Sequence, residues 1–397
     1  MAINTMNQAE TGKCIMIIAG EDSGDLHGAN LINELKQQAP SLFLCGIGGE
    51  KMRKAGLKIV FHASELSVMG ITEVVAKLPT ILKAMGIAKK IVRNLKPDLL
   101  ILIDFADFNL RVAKAAKKVG IPVLYYIPPK VWAWRSGRVK KIKARTDQLA
   151  VILPFEADFF QQHGLSATFI GHPLLDNPKE EPENGFRKEE KQETIIGLLP
   201  GSRGTEIRKL LPILLDTAKL IRVRIPAARF LVSLAPSADR VFIETMIQHH
   251  PEAAFMELVD GPVDHIFRRA DFLVAASGTV TLEAALAGVP MVIIYKVSGF
   301  SYMLGKSLAN ISHVGLANLI AGKEIIPELL QWKAKPERIA ETVCTILLDP
   351  QKLSTMKNEL RKIREKLGGP GASRRTAQLA LKMMGLEKHP QTITKEI

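Results

Sequence analysis

Short apolar runs alternate with amphipathic stretches along the chain from Cys14 onward. This alternation is typical of βαβ units that form a parallel sheet. In the first half the runs predict strands at Cys14–Ala19, Leu42–Ile47, Leu99–Ile103, Val123–Ile127, Leu149–Leu153 and Thr168–Ile170. Helical periodicity between them predicts helices at Leu26–Gln37, Pro79–Asn94 and Leu110–Val119. We therefore expect an open α/β sheet that ends near His172.

A second alternating series follows residue 193. Its apolar runs predict strands at Thr194–Leu199, Arg229–Leu234, Ala254–Leu258, Phe272–Ala275 and Met291–Tyr295. The apolar residues from Ile207 to Ile221 share one helical face that Pro212 interrupts, so this helix either kinks at Pro212 or begins there. From Pro350 the pattern is again helical, with a break at 368–371.

The segment 173–193 between the two series is rich in charge and contains three prolines, at positions 173, 178 and 182. Such a composition is typical of an interdomain linker. We expect an N-terminal domain at 1–172, a C-terminal domain at 194–350, and helices at 351–397 that pack back towards the N-terminal domain. Two such α/β halves would face a cleft, and ligands would bind at the carboxyl ends of their strands.

Composition narrows the classes of function. The 397-residue chain is 47% hydrophobic, which suits two or three domains with sizeable cores. Its formal net charge is +14, with lysines and arginines spread along the chain. This excess favours an acidic partner, such as a nucleotide, a phosphorylated lipid or an anionic membrane surface. We expect no nucleic-acid partner, because no helix-turn-helix, RNP or zinc-finger pattern is present.

The three cysteines, Cys14, Cys45 and Cys344, are odd in number and form no CxxC pair. This spacing argues against a disulfide framework or a structural zinc site and favours a reducing cytoplasm. The apolar run Cys14–Ala19 is too short for a signal peptide. No apolar stretch has the length of a membrane span. Any contact with a membrane is therefore expected at its surface.

Four loops that follow predicted strands carry candidate chemistry. The first follows Cys14–Ala19 and reads GEDSGDLHGANL. Its glycines bracket a helix start, but its acidic residues would repel a phosphate. We therefore expect Ser23, Gly24 and Asp25 to face an acceptor that carries hydroxyls or an amine. A purely structural turn is the alternative interpretation.

The second loop, within IDFADFN, places Asp104 directly after the strand Leu99–Ile103, with Asp107 a turn further on. A carboxylate at the end of a strand is a good candidate for a general base, and its apolar neighbours would raise its pKa. The competing interpretation is an N-cap for the helix predicted from Leu110. We assign the N-cap to Asp107 and the base to Asp104.

The third loop, within LLPGSRGTEIRK, is a glycine-bracketed turn between a strand and a helix. Arg203, beside Ser202, can pair bidentately with a diphosphate. The loop is not a P-loop, because no Walker lysine follows it. The stretch GFSYMLGKS from Gly299 has one residue too many between its glycines for a Walker motif, although Lys306 could serve as a point charge.

The fourth loop opens the stretch ASGTVTLEAALAGVPMVIIYK, in which a short alanine-rich helix is predicted. The small residues Ser277, Gly278 and Thr279 leave the first helical amides free to face an anion, for which phosphate is the natural candidate. Glu283, one turn after Thr279, could accept hydrogen bonds from ribose hydroxyls. The alternative is an ordinary helix cap with a solvated glutamate.

Eight motifs occur in a fixed order from Ser23 to Gly322, namely SGDLHGANL, IDFADFN, VWAWR, LPFE, FIGHP, GLLPGSRGTE, ASGTVTLEAALAGVPMVIIYK and LANLIAG. Together they resemble the lipid-A-disaccharide synthase family, which comprises glycosyltransferases of family 19. The resemblance implies the GT-B fold, with two Rossmann-like parallel-sheet domains facing a cleft. Lys130, in PPKVWAWR, departs from the family pattern, in which a small residue is more usual.

The resemblance implies an inverting transfer of 2,3-diacylglucosamine from its UDP donor to 2,3-diacylglucosamine 1-phosphate. This reaction releases UDP and makes the β-1,6 disaccharide of lipid A, with Asp104 deprotonating the acceptor's 6-hydroxyl. The implied donor contacts are Ser202, Arg203, Ser277, Gly278, Thr279, Glu283, Lys306 and Asn318, with Glu283 on the ribose. No metal or other cofactor is implied, since Arg203 and a helix N-terminus can stabilise the leaving diphosphate.

Both implied substrates carry acyl chains, so the resemblance implies a cytoplasmic protein that is peripheral on the inner membrane of a Gram-negative bacterium. It also allows a homodimer. The acceptor and membrane side would include Ser23, Gly24, Asp25, Trp132, Trp134 and Arg135, because aromatic rings beside positive charge suit a membrane surface. Buried packing is the alternative for the tryptophans.

Two other functions stay open at this point. One is a different GT-B enzyme that uses UDP-N-acetylglucosamine, such as an epimerase or a lipid-linked sugar transferase. The other is a nonenzymatic protein that binds a nucleotide or a membrane, for which the basic surface would be the main feature and Asp104 would be dispensable. The VWAWR segment argues against the first of these.

Overall fold

The computed structural model describes residues 12–66, 77–132, 137–176, 193–296 and 313–387. The chain divides into two units. The first comprises Met1–Asn177 and Gly368–Ile397, and the second comprises Pro178–Leu367. Each unit is built on one parallel sheet with helices packed against it.

Buried apolar runs form the strands of both sheets. Within the described ranges the strands are β1 (Cys14–Ala19), β2 (Phe43–Gly48), β3 (Lys58–His62), β4 (Leu99–Ile103), β5 (Val123–Tyr126), β6 (Gln148–Val151), β7 (Ala167–Phe169), β8 (Thr194–Leu199), β9 (Ala228–Leu234), β10 (Met256–Asp260), β11 (Phe272–Ala276), β12 (Met291–Tyr295) and β13 (Glu328–Leu330). Residues of β1 and β4 are buried throughout, because a parallel sheet carries helices on both faces.

Amphipathic stretches form the helices, each with its apolar face turned towards a sheet. Within the described ranges the helices are α1 (Asp22–Gln38), α2 (Glu50–Ala55), α3 (Leu78–Asn94), α4 (Ala106–Lys118), α5 (Gly137–Lys143), α6 (Pro154–Gln162), α7 (Gly204–Arg224), α8 (Arg240–Gln248), α9 (Asp264–Phe267), α10 (Thr279–Leu286), α11 (Leu316–Ala321), α12 (Pro336–Leu347), α13 (Pro350–Lys366) and α14 (Ala372–Met383). None of the helices in these ranges is long and apolar enough to cross a membrane.

Both sheets reverse their strand order at one point. The sheet of the first unit has the order β3-β2-β1-β4-β5-β6-β7, and all its neighbouring strands are parallel. The sheet of the second unit has the order β10-β9-β8-β11-β12-β13, again all parallel. The reversals lie between β1 and β4 in the first unit and between β8 and β11 in the second. The predicted fold class, two Rossmann-like α/β domains, is confirmed.

The predicted strands at Cys14–Ala19, Leu99–Ile103, Thr194–Leu199 and Met291–Tyr295 are confirmed to the residue, and the other predicted strands differ by one or two residues at one or both ends. The pattern missed β3 and β13, which lie at sheet edges. The first begins with a lysine and ends with a histidine, and the second is only three residues long. The helix α7 begins at Gly204 and continues through Pro212, so a start at Pro212 is wrong.

The domain boundaries differ from those expected. Residues 173–176, expected in the linker, belong to the first unit. The Asp176 carboxylate accepts hydrogen bonds from the backbone amides of Gly371, Ala372 and Ser373 at 2.7–2.8 Å, which caps α14 in that unit. The helix α13 packs against α10 and α11 in the second unit. The expectation that all of 351–397 packs towards the N-terminal domain is therefore corrected for α13.

Candidate active site

The candidate site of the first unit lies where its strand order reverses. Ala19 of β1 pairs with Ile103 of β4, and Ile103 pairs with Tyr126 of β5, so the three strands end in one row. Gly20 and Asp104 follow directly on β1 and β4. In open parallel sheets, ligands bind outside the carboxyl ends of the strands at such a reversal. Asp104 therefore occupies the position at which this fold binds ligands.

The backbone at Asp104 is strained. Asp104 has φ +48° and Phe105 has φ +45°, both in the left-handed region. Aspartate visits this region more readily than most residues, but for a residue like phenylalanine it costs about 1–2 kcal/mol. Two such residues in succession persist only where the surrounding structure fixes them, and strain of this kind is concentrated at functional sites.

The Phe105 ring is fixed by close packing on the first loop. A Cβ atom on Gly20 would lie 2.4 Å from two atoms of this ring, so only glycine fits at position 20. The Phe105 ring also lies 5.1 Å from the Phe108 ring, centroid to centroid. The loops after β1 and β4 are thereby locked together.

Two buried side chains hold the Asp104 backbone. The Tyr125 hydroxyl donates to the Asp104 carbonyl oxygen at 2.7 Å, and the Asn109 amide nitrogen Nδ2 donates to the same oxygen at 2.8 Å. Asn109 also donates to the Ile103 carbonyl at 3.1 Å. Sequence reasoning missed both residues. The available signals were a tyrosine inside an apolar strand and an asparagine among the apolar residues of an amphipathic helix.

We expect Tyr125→Phe to lower the free energy of unfolding by about 1 kcal/mol, because it leaves the Asp104 carbonyl with one donor fewer. The adjacent Tyr126→Phe is the matched control. Tyr126 is equally buried and its hydroxyl lies near Ser373 and Thr376, but it has no partner in normal hydrogen-bond geometry among the described residues. Urea unfolding of the two variants checks the difference, and equal losses would contradict the role assigned to Tyr125.

Burial raises the pKa of Asp104 above the ordinary value of an aspartate. The backbone amide of Phe105 and the positive charge of Lys130 act in the opposite direction and offset part of the rise. Burial also raises the pKa of Tyr125 well above its ordinary value, so its hydroxyl donates as a neutral phenol. A carboxylate with a raised pKa is a stronger base, which suits proton abstraction near neutral pH.

Asp107 is not the N-cap that the sequence predicted. The helix α4 begins at Ala106, earlier than the predicted Leu110, and its N-cap residue is Phe105. Asp107 therefore lies in the first turn, where its carboxylate pairs with the Arg138 guanidinium at 2.7 Å. Asp104 and Phe105, both in the left-handed region, turn the chain tightly, so α4 begins only three residues after the end of β4.

Asp25, in the loop after β1, has a structural role. This buried carboxylate accepts hydrogen bonds from the backbone amides of Gly49, Lys51 and Met52 at 2.7, 3.0 and 3.1 Å. It thereby caps the N-terminus of α2, so the expected contact of Asp25 with an acceptor is corrected. Ser23 is exposed in the first turn of α1, and Gly24 is buried against Ala19.

Trp132 contacts two residues of the LPFE motif, Phe155 and Glu156. Its indole nitrogen Nε1 donates to the Glu156 carboxylate at 2.9 Å, and its ring meets the Phe155 ring edge-on at 4.9 Å. Glu156 is buried, which raises its pKa, and it also accepts from the Leu153 amide at 3.0 Å. These contacts favour packing as the role of Trp132. Trp134 and Arg135 lie outside the described residues.

The candidate site of the second unit lies at the reversal between β8 and β11. Leu199 pairs with Ala275, so the loops 200–203 and 277–278 leave the sheet side by side. Gly201 has φ +107°, and a Cβ atom there would lie 2.8 Å from a Glu206 carboxylate oxygen. Glycine is thus required at the turn into α7. Ser202 lies in this turn, and its carbonyl accepts from the Ser237 hydroxyl at 2.9 Å.

The loop after β11 leads into α10 at Thr279. Gly278 is the N-cap residue and has no side chain to occupy the first amides of the helix. Gly278 and Thr279 are exposed, whereas the Thr281 hydroxyl turns back to the Gly278 carbonyl at 2.8 Å. The Ser277 amide is held by the Ile294 carbonyl of β12 at 2.9 Å. The exposed amides and the helix dipole favour an anion at this position.

Arg203 presents its charge to solvent at the same edge. It is the N-cap residue of α7, its side chain is 78% exposed, and its contact with Glu206 is long at 3.5 Å. The guanidinium is therefore available to an anionic ligand. Tyr295, at the end of β12, lies in the field of Arg203 and Glu206, and burial raises its pKa. Sequence reasoning missed Tyr295, which ends an apolar strand.

The three remaining residues expected to contact the donor are Glu283, Lys306 and Asn318, and each has a different outcome. Glu283 is half-buried in α10, one turn after Thr279. Lys306 lies outside the described residues. Asn318 is completely buried, and its amide donates to the Ile326 carbonyl and to Glu328, both at 2.8 Å.

The carbonyl oxygen of the Asn318 side chain accepts from the amides of Ile325 and Ile326 at 2.9 and 3.0 Å. Both donors and both acceptors of this amide are used within the unit. No hydrogen-bonding capacity is left for a diphosphate. The expected contact of Asn318 with the donor is therefore corrected.

Comparison with known proteins decides the family. The family model described as Lipid-A-disaccharide synthetase matches residues 15–383 of this chain. The chain belongs to the lipid-A-disaccharide synthase family. A lipid-A-disaccharide synthase from Syntrophus aciditrophicus (strain SB) is 43% identical over 377 residues, which cover 94% of this chain and 98% of that relative. The chain is thus a glycosyltransferase of lipid A biosynthesis.

Solved structures support the GT-B fold of this chain. A UDP-N-acetylglucosamine 2-epimerase described from Listeria monocytogenes aligns with a TM-score of 0.64 at 11% identity, covering 96% of this chain and 99% of its own. MurG from Acinetobacter baumannii aligns with a TM-score of 0.56 at 15% identity, covering 94% and 100%. At these identities the likeness concerns the fold alone. Family membership therefore decides against the epimerase that the sequence left open.

Proposed function

We propose that this protein transfers 2,3-diacylglucosamine from UDP to the 6-hydroxyl of 2,3-diacylglucosamine 1-phosphate, with inversion at the anomeric carbon. The products are UDP and the β-1,6-linked lipid A disaccharide 1-phosphate. One observation carries the proposal: each sheet has suitable groups at its own reversal of strand order. These are a carboxylate in the first unit, and a guanidinium beside uncapped helix amides in the second.

Asp104 is the proposed general base. Its carboxylate takes the proton of the acceptor's 6-hydroxyl as that oxygen bonds to the anomeric carbon of the donor. The bond from this carbon to the diphosphate oxygen breaks, and the electron pair leaves with UDP. A single displacement of this kind inverts the anomeric centre. The raised pKa of Asp104 and its fixed backbone support the assignment.

The second unit is proposed to bind the UDP donor. Arg203 would pair with the diphosphate, and the amides of Gly278 and Thr279, with the side chains of Ser277 and Ser202, would complete the contacts. Glu283 would accept hydrogen bonds from the ribose hydroxyls. Negative charge grows on the diphosphate as the sugar leaves, so these fixed groups bind the transition state more tightly than the donor. The proposal requires no metal ion.

The acyl chains of both proposed substrates place the reaction at a lipid surface. We propose that the protein works as a peripheral protein on the cytoplasmic face of the inner membrane. The net charge of +14 supports this, because the surface of such a membrane is anionic.

We expect Lys130→Ala to shift the acidic limb of the pH profile to higher pH. Asp104 can accept a proton only when it is ionised, so turnover falls as the pH drops through its pKa. Burial already raises this pKa, and the positive charge of Lys130 offsets part of the rise. Removal of that charge raises the pKa further. The pH dependence of kcat/KM measures the shift.

Lys130→Arg is the control for this prediction, since it keeps the charge and should leave the acidic limb in place. If Lys130→Ala shows the wild-type profile, or one moved to lower pH, Asp104 is not the group that limits the rate in acid.

The test of the proposed function is to give the purified protein the UDP-diacylglucosamine donor alone, and then the donor with the 1-phosphate acceptor. We expect UDP only when both are present, in equal amount to the disaccharide. Conversion of the donor without an acceptor would favour an epimerase or a hydrolase. Nucleotide binding with no conversion in either mixture would favour a nonenzymatic protein.

A further inference from the structure

Lys130 lies on the loop that leaves the first sheet beside Asp104. Ile103 of β4 pairs with Tyr126 of β5, and the Asp104 amide donates to the Tyr126 carbonyl at 3.3 Å. Lys130 follows Tyr126 by four residues. The loop that carries Lys130 therefore starts next to Asp104, at the edge of the sheet where this fold binds ligands.

The backbone of this loop is fixed before Lys130. Ile127 has φ +57°, in the left-handed region that a β-branched residue rarely adopts, and its amide donates to the Ala150 carbonyl at 3.1 Å. Pro128 and Pro129 follow, and each proline ring fixes its own φ. Backbone strain of this kind is concentrated at functional sites.

The backbone is also fixed after Lys130. The Val131 amide donates to the Pro129 carbonyl at 2.7 Å, and the Val131 side chain is buried. Trp132 is held by its hydrogen bond to Glu156 at 2.9 Å. Lys130 itself is exposed. The loop thus holds one ammonium group in solvent on a backbone that is fixed on both sides.

The charge of Lys130 acts on the buried groups of the site. Burial raises the pKa of Asp104 and of Glu156, and the positive charge of Lys130 offsets part of both rises. Burial and the nearby His27 lower the pKa of His172, and Lys130 lowers it further. The effect of an exposed charge fades beyond about 10 Å in salt solution, so the ammonium group lies near Asp104.

Lys130 makes no hydrogen bond or ion pair with any residue that the structure describes. An ammonium group that is fixed near a binding edge and is not neutralised there favours an anionic ligand. Of the two proposed substrates, the acceptor is the one that Asp104 deprotonates. Its 1-phosphate and its 6-hydroxymethyl group are attached to the two carbons that flank the ring oxygen. A single sugar ring therefore separates the phosphate from the reacting hydroxyl.

We infer that Lys130 binds the 1-phosphate of the acceptor while Asp104 takes the proton of its 6-hydroxyl. The inference rests on the proposed function for the identity of the acceptor. Contacts at both groups fix the orientation of the sugar ring, which makes Lys130 a specificity residue for phosphorylated acceptors. Lys130 departs from the family pattern, in which a small residue is more usual. We therefore expect the contact to strengthen acceptor binding and not to be indispensable for transfer.

The test compares two acceptors, diacylglucosamine 1-phosphate and the same compound with a free 1-hydroxyl. Both are dispersed in a nonionic detergent, and rates are measured well above the acidic limb, where Asp104 is ionised. We expect Lys130→Ala to raise the KM for the 1-phosphate acceptor about tenfold. The KM values for the phosphate-free acceptor and for the donor should not change. The kcat at saturation should stay close to that of the wild type, because the phosphate is bound equally before and during the reaction.

Two further variants serve as controls. Lys130→Arg keeps the positive charge and should bring the KM for the 1-phosphate acceptor back to within about threefold of the wild type. Lys118→Ala also removes one exposed lysine of the first unit, at the end of α4. Lys118 lies about 18 Å along this helix from its start beside Asp104, so both KM values should be those of the wild type.

Three results would overturn the inference. One is an equal rise of KM for both acceptors in Lys130→Ala, which would show that the phosphate is not what Lys130 recognises. Another is the same rise in Lys118→Ala, which would show a response to overall charge. The third is a rise in the donor KM of Lys130→Ala with an unchanged acceptor KM, which would assign Lys130 to the diphosphate.

Equilibrium binding of the two acceptors separates the inference from the proposed function, because it needs no turnover. The wild type should prefer the 1-phosphate acceptor about tenfold, and Lys130→Ala should lose this preference. If these results appear in a protein that makes no disaccharide, the proposed function fails and the inference stands. If the wild type makes the disaccharide and Lys130→Ala keeps the preference, the proposed function stands and the inference is refuted.

Discussion

Asp104→Asn is expected to lower turnover about a thousandfold and to leave UDP affinity unchanged. Asparagine has the shape of aspartate, and it also tolerates the left-handed backbone at this position. The hydrogen bonds from Tyr125 and Asn109 go to the backbone carbonyl, so the substitution keeps them. What is lost is the ability to accept a proton. Steady-state rates with both substrates and calorimetric titration with UDP measure the two quantities.

The matched control for this prediction is Asp107→Asn, three residues further along the same motif. Asp107 is exposed and pairs with Arg138, and the proposed reaction does not use it. Turnover close to that of the wild type is expected. Asp104→Ala should be as inactive as Asp104→Asn and less stable by about 1 kcal/mol, since alanine does not favour the left-handed region. Near-normal turnover of Asp104→Asn would refute the base.

Arg203→Ala is expected to weaken UDP binding about tenfold to a hundredfold, which is the size of a charge-assisted interaction with a diphosphate. Turnover at saturating donor should also fall, because the guanidinium stabilises the charge that develops on the leaving group. Arg203→Lys should recover only part of the affinity, since lysine cannot bind two oxygens in the same plane. Titration with UDP and donor-dependent rates measure both effects.

Arg269→Ala serves as the control for Arg203. It removes an exposed arginine of the same unit, paired with Glu257 just before β11, at the edge of the sheet opposite to the candidate site. Its UDP affinity should match that of the wild type. If the two variants lose affinity equally, the effect comes from overall charge, and Arg203 has no specific contact with the diphosphate.

The strands that position both sites could be predicted from sequence because they are buried on both faces. In a chain of alternating strands and helices, a short continuous apolar run such as Leu99–Ile103 predicts a buried strand. The missed strands, β3 and β13, lie at sheet edges, where a short or partly polar segment gives no such signal. The start of α4 was missed for a different reason. Glycine in a sequence indicates where a left-handed turn can occur, whereas aspartate followed by phenylalanine does not.

Polar residues within the motifs were harder to assign. Asp25 and Asn318 belong to SGDLHGANL and LANLIAG, and both were predicted to contact a substrate. In the structure their side chains are hydrogen-bonded to backbone amides and carbonyls, as buried polar groups require. A sequence does not show whether a polar side chain is buried and already paired. Arg203, by contrast, is exposed, and its charge is available.

The central claim is a single displacement in which Asp104 acts as the base, and the configuration of the product tests it most directly. The disaccharide made from the α-linked UDP donor would be isolated, and NMR would give the configuration of the new glycosidic bond. The account predicts a β linkage only. An α linkage would show retention, which requires a different mechanism, and would contradict the role proposed for Asp104.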